Sequence, residues 1–582
     1  MSGIQNIAFE SSENLNKEKD DGSHNYQHKN NGENIDLTLM NLGNDGSNEQ
    51  SDTRRNRYRL LTSSMLHLIF VSYFFYASYH FITTRDTCQK DCILTLCSPY
   101  GMLLLVYGAT YLGILYYNVI KPYLGEEIEN RVFKPIHDLI SSFLQKLTAK
   151  IATIILLSAA FSGYIIYETY PDFSRLRALI GIAAFSLIGF FMSENHKRII
   201  WRPVLCGGIF QFILGIVFIR WTVGRDIFQC FGDKVSDFLN YGKNGSAFVF
   251  GNELVYEQQI FAFAVLPTIF FFSLCISVCY YLGAIQWVLF KLGWLLQSIL
   301  GTTVCESVNA AGNVFLGMSE GPLIIRPYIK HLTHSEIHAI MVSGFSTVSG
   351  STMVAYIAFG AKPAHLITAT VMAAPASLCF AKLVYPEVEE TKTSSSNIEL
   401  EKSTDSSILD AASNGASQAI PLILNIIANL VAFVAFVSFA DAILKWITVL
   451  MGFDNVDIQF ILGKIFMPIS WLIGVDWKDC DKVGNVIGTK TIINEFVAFK
   501  KLGEYKANQE ISMRSAAIAT FAICSFANPA SIGIMIGGLS ALAPERKSAF
   551  TKVVLKSFFS GCFVTLCTAS IAGLLMTDEM EI

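Results

Sequence analysis

The sequence predicts an all-α polytopic membrane protein whose second half carries an inverted repeat. Three observations support this. Of 582 residues, 52% are hydrophobic and 15% charged, with a mean hydropathy of +0.44; ordinary soluble domains carry about 25% charged residues. The charges are also localised, because the first 57 residues are polar and nearly all later charges fall between long apolar runs. Finally, short polar segments followed by interrupted helices occur twice after residue 300, in the same order. Composition also excludes a cytosolic enzyme, a disordered scaffold and a secreted disulfide module. Thirteen cysteines in this length are too dilute for a disulfide framework. A balance of 43 basic to 47 acidic residues, net −4 with pI near 6.2, lacks the basic excess of a nucleic-acid binder.

From the N-terminus, residues 1–57 read as a disordered tail without an apolar leader region. Arg54, Arg55, Arg57 and Arg59 stand directly before the first apolar span at 60–82, which predicts a cytoplasmic N-terminus. Further spans are expected at 100–120, 151–168, 178–193, 203–219 and 258–282, each about long enough for a hydrocarbon core of ~30 Å. The stretch 58–170 thus forms an accessory N-terminal group of transmembrane helices and 171–582 the core. The two loops expected in the cytoplasm, 121–150 and the one with His196, Lys197, Arg198 and Arg202, are both basic. The segment 220–257 is then expected outside, and it carries the sequon Asn244-Gly245-Ser246. Beyond 283 the apolar stretches become shorter and more polar, and 386–412 reads as a charged linker that divides this half in two.

Two segments hold ionisable residues that a lipid-facing helix avoids. The first, at 301–330, runs from Gly301-Thr302-Thr303 and Glu306 through Asn309, Asn313 and Gly317-Met318-Ser319-Glu320 to Arg326. The second, at 485–503, contains Gly488-Thr489-Lys490 and Asn494-Glu495-Phe496. Each precedes a helix interrupted by polar residues: Gly344-Phe345-Ser346-Thr347-Val348-Ser349-Gly350, and Ser525-Phe526-Ala527-Asn528-Pro529-Ala530-Ser531. Pro529 should break the second helix, since it lacks an N–H and crowds the preceding turn; Gly344 and Gly350 weaken the first. Freed backbone groups at membrane depth need protein or a water-filled cavity to satisfy them, which locates a site at the breaks. In that site Glu495, Asn528 and Ser531 suit a vicinal diol such as a ribose. Glu320, Ser319 and the backbone at Gly317 suit the edge of a planar polar ring, with Phe526 as an apolar face. Asn313, Thr347 and free carbonyls offer neutral oxygens to a cation such as Na⁺.

These motifs are similar to those of a known family. The run Gly312-Asn313-Val314-Phe315-Leu316-Gly317-Met318-Ser319-Glu320-Gly321-Pro322-Leu323 with Arg326-Pro327-Tyr328 resembles the hairpin motif of concentrative nucleoside transporters. So do Gly488-Thr489-Lys490 with Asn494-Glu495-Phe496, Phe526-Ala527-Asn528 with Ser531-Ile532-Gly533-Ile534-Met535, and Phe248-Val249-Phe250-Gly251. The resemblance covers about 176–576, and the earlier spans look like the extra helices of animal-type members. It implies two re-entrant hairpins and two unwound transmembrane helices around one nucleoside, and a transport domain that moves against a trimeric scaffold. It further implies a homotrimer and Na⁺-coupled uptake across the plasma membrane. By the same resemblance Glu495, Asn528 and Ser531 hold the ribose. Gly317, Met318, Ser319 and Glu320 meet the base, with Phe526 and Thr352 beside it. Asn313, Thr347 and the carbonyls of Leu316 and Val348 hold sodium. Many members carry Gln at the position of Met318 and Thr at that of Ser319, and the combination Gly317, Met318, Thr347, Val348 looks like the purine-preferring members.

Two other functions fit parts of the pattern. Glu320 or Glu495 could titrate in an H⁺-coupled carrier, and a membrane-embedded enzyme would need a nucleophile–base pair or metal cluster that the motifs do not supply. Among weaker signals, His331, His334 and His338 have a spacing compatible with metal ligands, but read as a solvated helix start capped by Thr333 or Ser335. Cys88, Cys92 and Cys97 fall in a loop expected outside, where both a disulfide and free thiols are open. Gly533 and Gly537 form a small-residue pair suited to close helix packing.

Overall fold

The computed structural model of the protein describes residues 45–84, 97–124, 161–170, 172–393, 405–453 and 457–578, with the single residues 127, 131, 159 and 403 between them. The regular elements in these segments are all helical, and nine of the described helices are long and apolar enough to cross a membrane. The chain divides into two compact units, Met1–Tyr116 and Tyr117–Ile582.

In the first unit α1 (Asp45–Thr84) pairs with α2 (Pro99–Leu115) through stacked rings, Phe74 on Tyr107 at 3.9 Å and Phe81 on Tyr100 at 4.3 Å between centroids. Helix α1 starts inside the expected disordered tail. Residues 47–59 contain neither proline nor glycine, so nothing stops the helix of the apolar span from extending back through the arginines; residues 1–44 of that tail lie outside the described residues. The expected span 151–168 is also largely outside them, with only 161–169 described as helix.

The second unit continues with α3 (Arg177–Phe191), α4 (Trp201–Gly215) and α5 (Thr222–Phe250). The segment expected outside, 220–257, is therefore mostly a 29-residue amphipathic helix. Gly232, Leu239, Gly242 and Ser246 repeat at helical spacing on its buried face, while Asp226, Asp233, Lys234 and Asp237 are exposed. Asn244 of the sequon lies on this helix, where its Oδ1 accepts from the Tyr256 hydroxyl at 2.7 Å. Next come α6 (Thr268–Tyr281) and α7 (Ala284–Leu300), bounded by Gly283 and Gly301 at φ +77° and +76°, a left-handed conformation in which a β-carbon is penalised.

The repeated order of elements then begins. Its first copy is α8 (Val304–Gly312), a 3₁₀ stretch Gly321–His331, α9 (His334–Ser346), α10 (Gly350–Ala358) and α11 (Pro363–Val384). Two connecting helices follow, α12 (Ile408–Leu450) and α13 (Ile458–Leu472). The second copy is α14 (Cys480–Ile492), α15 (Glu495–Ala507), α16 (Met513–Ile523), α17 (Pro529–Leu542) and α18 (Lys547–Leu575). Both hairpins are present, the second slightly longer than the expected 485–503. The α9–α10 pair, α11 and α18 form the interior, with 83–94% of their apolar windows buried, against 28% or less for the other spanning helices.

Both predicted helix breaks occur, with one change of mechanism. Pro529 occupies the first position of α17, where its missing N–H costs nothing, rather than interrupting a continuous helix. The break between α9 and α10 falls at 347–349, between the two glycines expected to cause it. Gly344 instead permits close approach, since a β-carbon there would stand 2.9 Å from Met318 Cβ.

Three further expectations are corrected. The helix start near the three histidines is not solvated: Thr333, Ser335, Glu336 and His338 are all at most 3% exposed. The chain after Tyr385 folds over it, with Thr333 Oγ1 donating to Glu387 at 2.9 Å and Thr393 Oγ1 to Glu336 at 2.7 Å. The buried Lys382 ammonium pairs there with Glu306 and donates to Ser335 Oγ at 2.9 Å. The expected N-cap Thr333 is present, in a reciprocal capping box with Glu336. Among the described residues no group of three or more His, Cys, Asp and Glu could hold a metal ion. The linker is shorter than read, because α12 already begins at Ile408. Gly533 and Gly537 meet no other atoms among the described residues, so the expected close packing is not made there; α17 turns Ser531, Met535 and Leu539 inward instead. Cys97 and also Cys230 are disulfide-bonded, while Cys88 and Cys92 lie outside the described residues.

Close backbone contact elsewhere carries a stability prediction. A β-carbon on Gly484 of α14 would stand 2.7 Å from the Gly463 carbonyl oxygen and 2.8 Å from the Met467 nitrogen of α13. Gly484→Val should force these helices apart at about 1–3 kcal/mol, seen as a lower Tm of the purified protein in detergent.

Candidate functional site

The first hairpin turns over in a compact loop after α8. Leu316 N–H donates to the Gly312 carbonyl at 2.8 Å, and the N–H groups of Glu320 and Gly321 both donate to the Gly317 carbonyl, at 3.0 and 2.8 Å. Glu320 folds back so that its Oε2 accepts from Gly317 N–H at 3.4 Å. Ser319 and Glu320 are both exposed, so the carboxylate at this turn is open to a solute.

The loop is fastened to the break between α9 and α10. Gly350 N–H donates to the Phe315 carbonyl at 3.0 Å. A β-carbon on Gly317 would stand 3.0 Å from Ser349 Cβ and 3.8 Å from Phe526 Cε2, so these three residues converge closely and a larger residue at 317 would press on Ser349. Met318 is 6% exposed and lies against Gly344. Ser349 caps α10, accepting from Thr352 N–H at 3.3 Å and donating to Thr352 Oγ1 at 3.1 Å.

The second hairpin meets the second break. Asn528 caps α17, its Oδ1 accepting from Ser531 N–H at 3.0 Å, while its Nδ2 donates to Glu495 Oε2 at 2.7 Å. Glu495, Asn528 and Ser531 are each 3% exposed. Asn494, the cap of α15, accepts from Val497 N–H at 3.0 Å and so fixes where Glu495 leaves the backbone. The two breaks touch directly: Phe526 N–H donates to the Thr347 carbonyl at 3.1 Å. A continuous path of contacts thus runs from the Glu320 turn through Gly317, Phe526 and Asn528 to Glu495. Acceptor-only carboxylates at both ends, with an aromatic face between them, suit a polar ring carrying a diol.

Two of the expected ion ligands, Asn313 and Thr347, come together around Ser343. Asn313 Nδ2 donates to Ser343 Oγ at 2.9 Å, and Thr347 Oγ1 donates to the Ser343 carbonyl at 2.8 Å. With its proton committed there, the Thr347 hydroxyl keeps its lone pairs for another ligand, and Asn313 Oδ1 has no hydrogen-bond partner. Asn313, Thr347 and Val348 are all fully buried, and Leu316 nearly so.

Comparison with known proteins gives the family. Residues 180–253 match the family described as the Na⁺ dependent nucleoside transporter N-terminus, 262–363 the nucleoside recognition gate, and 365–573 the Na⁺ dependent nucleoside transporter C-terminus. Sodium/nucleoside cotransporter 1 of Rattus norvegicus is 40% identical over 492 residues, covering 82% of this chain and 74% of its own. The chain belongs to the concentrative, sodium-dependent nucleoside transporter family. Sodium/nucleoside cotransporter 2 of Rattus norvegicus is 43% identical over 438 residues, 72% of this chain and 66% of its own. Among solved structures, CNTnw in an inward-facing substrate-bound state aligns at TM-score 0.66 and 36% identity, over 69% of this chain and 98% of that one. A doubly substituted CNTnw in an outward-facing state aligns at 0.67 and 36%, over 70% and 99%. As a member of the family the chain is a sodium-coupled nucleoside transporter and not an enzyme.

Two residues beside these groups, Ser343 and Tyr356, escape a reading of the motifs. Ser343 organises the amides from inside a helix that reads as apolar, and Asn309 reaches it at 2.8 Å. Tyr356 is fully buried, stacks on Phe499 at 4.3 Å between centroids and lies beside Glu495 and Thr352. Its place one helical turn after Thr352 was the available signal.

Proposed function

We propose that this transporter concentrates nucleosides, with a preference for purines, by moving the two hairpins and two broken helices together as an elevator. The observation that carries the reading is the contact path from the Glu320 turn to the Glu495–Asn528 pair, which joins both halves of the repeat. Along it Glu495, Asn528 and Ser531 bind the ribose. Gly317, Met318, Ser319 and Glu320 bind the base, beside Phe526 and Thr352. Sodium sits at Asn313, Thr347 and the Leu316 and Val348 carbonyls. The purine preference rests on Met318, whose thioether offers no amide to a pyrimidine edge. The elevator reading is supported by the inward-facing, intermediate and outward-facing states in which CNTnw was solved.

One Na⁺ entering gains about 2.3 kcal/mol per 100 mV, and a tenfold gradient adds about 1.4 kcal/mol. Together they sustain an accumulation of roughly several hundredfold. For that energy to be used, the ion must bind the substrate-competent state better than the empty one; the first hairpin and the α9–α10 break, which share Ser343 and the Phe315–Gly350 bond, supply the element it orders. The protein works as a homotrimer in the plasma membrane with a cytoplasmic N-terminus; the arginines before the first span support that orientation. Residues 58–170 are accessory helices outside the transport machinery, consistent with family matches that begin at residue 180.

Uptake of radiolabelled inosine and uridine, in cells without their own carriers, tests the reading. Inosine is expected to accumulate more than uridine in Na⁺ medium, and neither when choline replaces Na⁺ at fixed pH. Uptake that survives choline and follows a pH gradient would assign the coupling to H⁺ instead.

A further inference from the structure

Asn309 lies on α8 and Asn313, four residues later, caps its C-terminus, so the two stand one turn apart, and both are 0% exposed. Their amide nitrogens converge on one atom, Ser343 Oγ, at 2.8 and 2.9 Å. The Ser343 proton goes to the Ile340 carbonyl at 2.9 Å. That hydroxyl oxygen is therefore an acceptor, which fixes which end of each amide faces it. Both Oδ1 atoms point away from Ser343, and neither has a hydrogen-bond partner. They meet beside Gly321, where a β-carbon would stand 2.1 Å from Asn313 Oδ1 and 3.2 Å from Asn309 Oδ1. The missing side chain at 321 keeps this space clear.

Two buried carbonyl-type oxygens without a partner are costly unless something binds them. They are hard, neutral acceptors, which suits a small monovalent cation. We infer that Asn309 and Asn313, with Gly321 leaving room between them, form a two-carboxamide cradle in which Asn309 is an additional sodium ligand of this chain. The inference rests on the sodium-coupled reading and adds to it a residue that the resemblance does not assign. An amide does not titrate in the physiological range, so the cradle takes a metal ion and not a proton.

The test is Na⁺-dependent stabilisation of the full-length protein, purified in detergent without nucleoside. Tm is followed as NaCl replaces choline chloride at constant ionic strength. In the unmodified protein Na⁺ is expected to raise Tm. Asn309→Leu keeps the shape but removes the oxygen, and should raise the Na⁺ concentration for half-maximal stabilisation about fivefold, equivalent to ~1 kcal/mol. Asn309→Asp retains an oxygen and adds charge, and should lower that concentration. A purely structural role would lower Tm in choline and leave the Na⁺ midpoint in place, which overturns the proposal. Should Asn309→Leu fail to fold, an unchanged or raised midpoint in Asn309→Asp overturns it equally. No Na⁺ effect in the unmodified protein would instead remove the sodium-coupled reading itself.

Discussion

Glu495→Gln is expected to lower nucleoside uptake by about 10- to 100-fold, since hydrogen bonds to a charged group are worth about 1.5–3 kcal/mol. The carboxylate accepts from Asn528 Nδ2 at 2.7 Å and is acceptor-only. Glutamine keeps one oxygen but adds an NH₂ group, which must face either the Asn528 amide or the substrate hydroxyl in place of an acceptor. Burial adds to the loss, because Lys490 is 2% exposed and within electrostatic reach of Glu495. Without the negative charge the ammonium loses its compensating partner in a medium of low dielectric. The measurement is the initial rate of inosine uptake, normalised to the protein at the cell surface. A rate near that of the unmodified protein would exclude Glu495 from the ribose site.

Met318→Gln is expected to change selectivity more than capacity. The side chain is 6% exposed at the hairpin turn, beside Gly344 and above Ser319 and Glu320. Glutamine has nearly the same length and fills the same space, but offers a donor and an acceptor to the edge of a ring. One added hydrogen bond corresponds to roughly 2- to 10-fold in affinity. The uridine-to-inosine uptake ratio should rise by that factor while Na⁺ dependence stays intact. An unchanged ratio would show that position 318 does not discriminate between bases.

Much of this architecture was legible because membrane burial leaves a simple trace. Long apolar runs marked α1 to α4 and α6, and the rarity of intramembrane charge made Glu320 and Glu495 conspicuous. Pro529 marked the second break, although it starts α17 rather than interrupting a continuous helix, and the cap role of Asn528 emerged only from the structure. What escaped was tertiary. Helix α5 carries too many charges to read as a span, yet its small residues at helical spacing pack against the core. Ser343 reads as one more small residue in an apolar helix, and only the fold brings two amides from α8 onto its hydroxyl. The segment after Tyr385 reads as a solvated linker by composition, but Glu387 and Thr393 find partners on α9 that no local pattern announces.

The single bond from Phe526 to Thr347 has a mechanical consequence. Each of these residues lies where its own helix has come undone, so neither has a local substitute for the other. Prising the two apart while they stay buried would strand a donor and an acceptor at once, at about 1–3 kcal/mol each. The halves are yoked at their weakest points. Under the proposed elevator movement, cargo seated there travels with both of them, and the sliding surface lies elsewhere, along helices whose backbones are already complete.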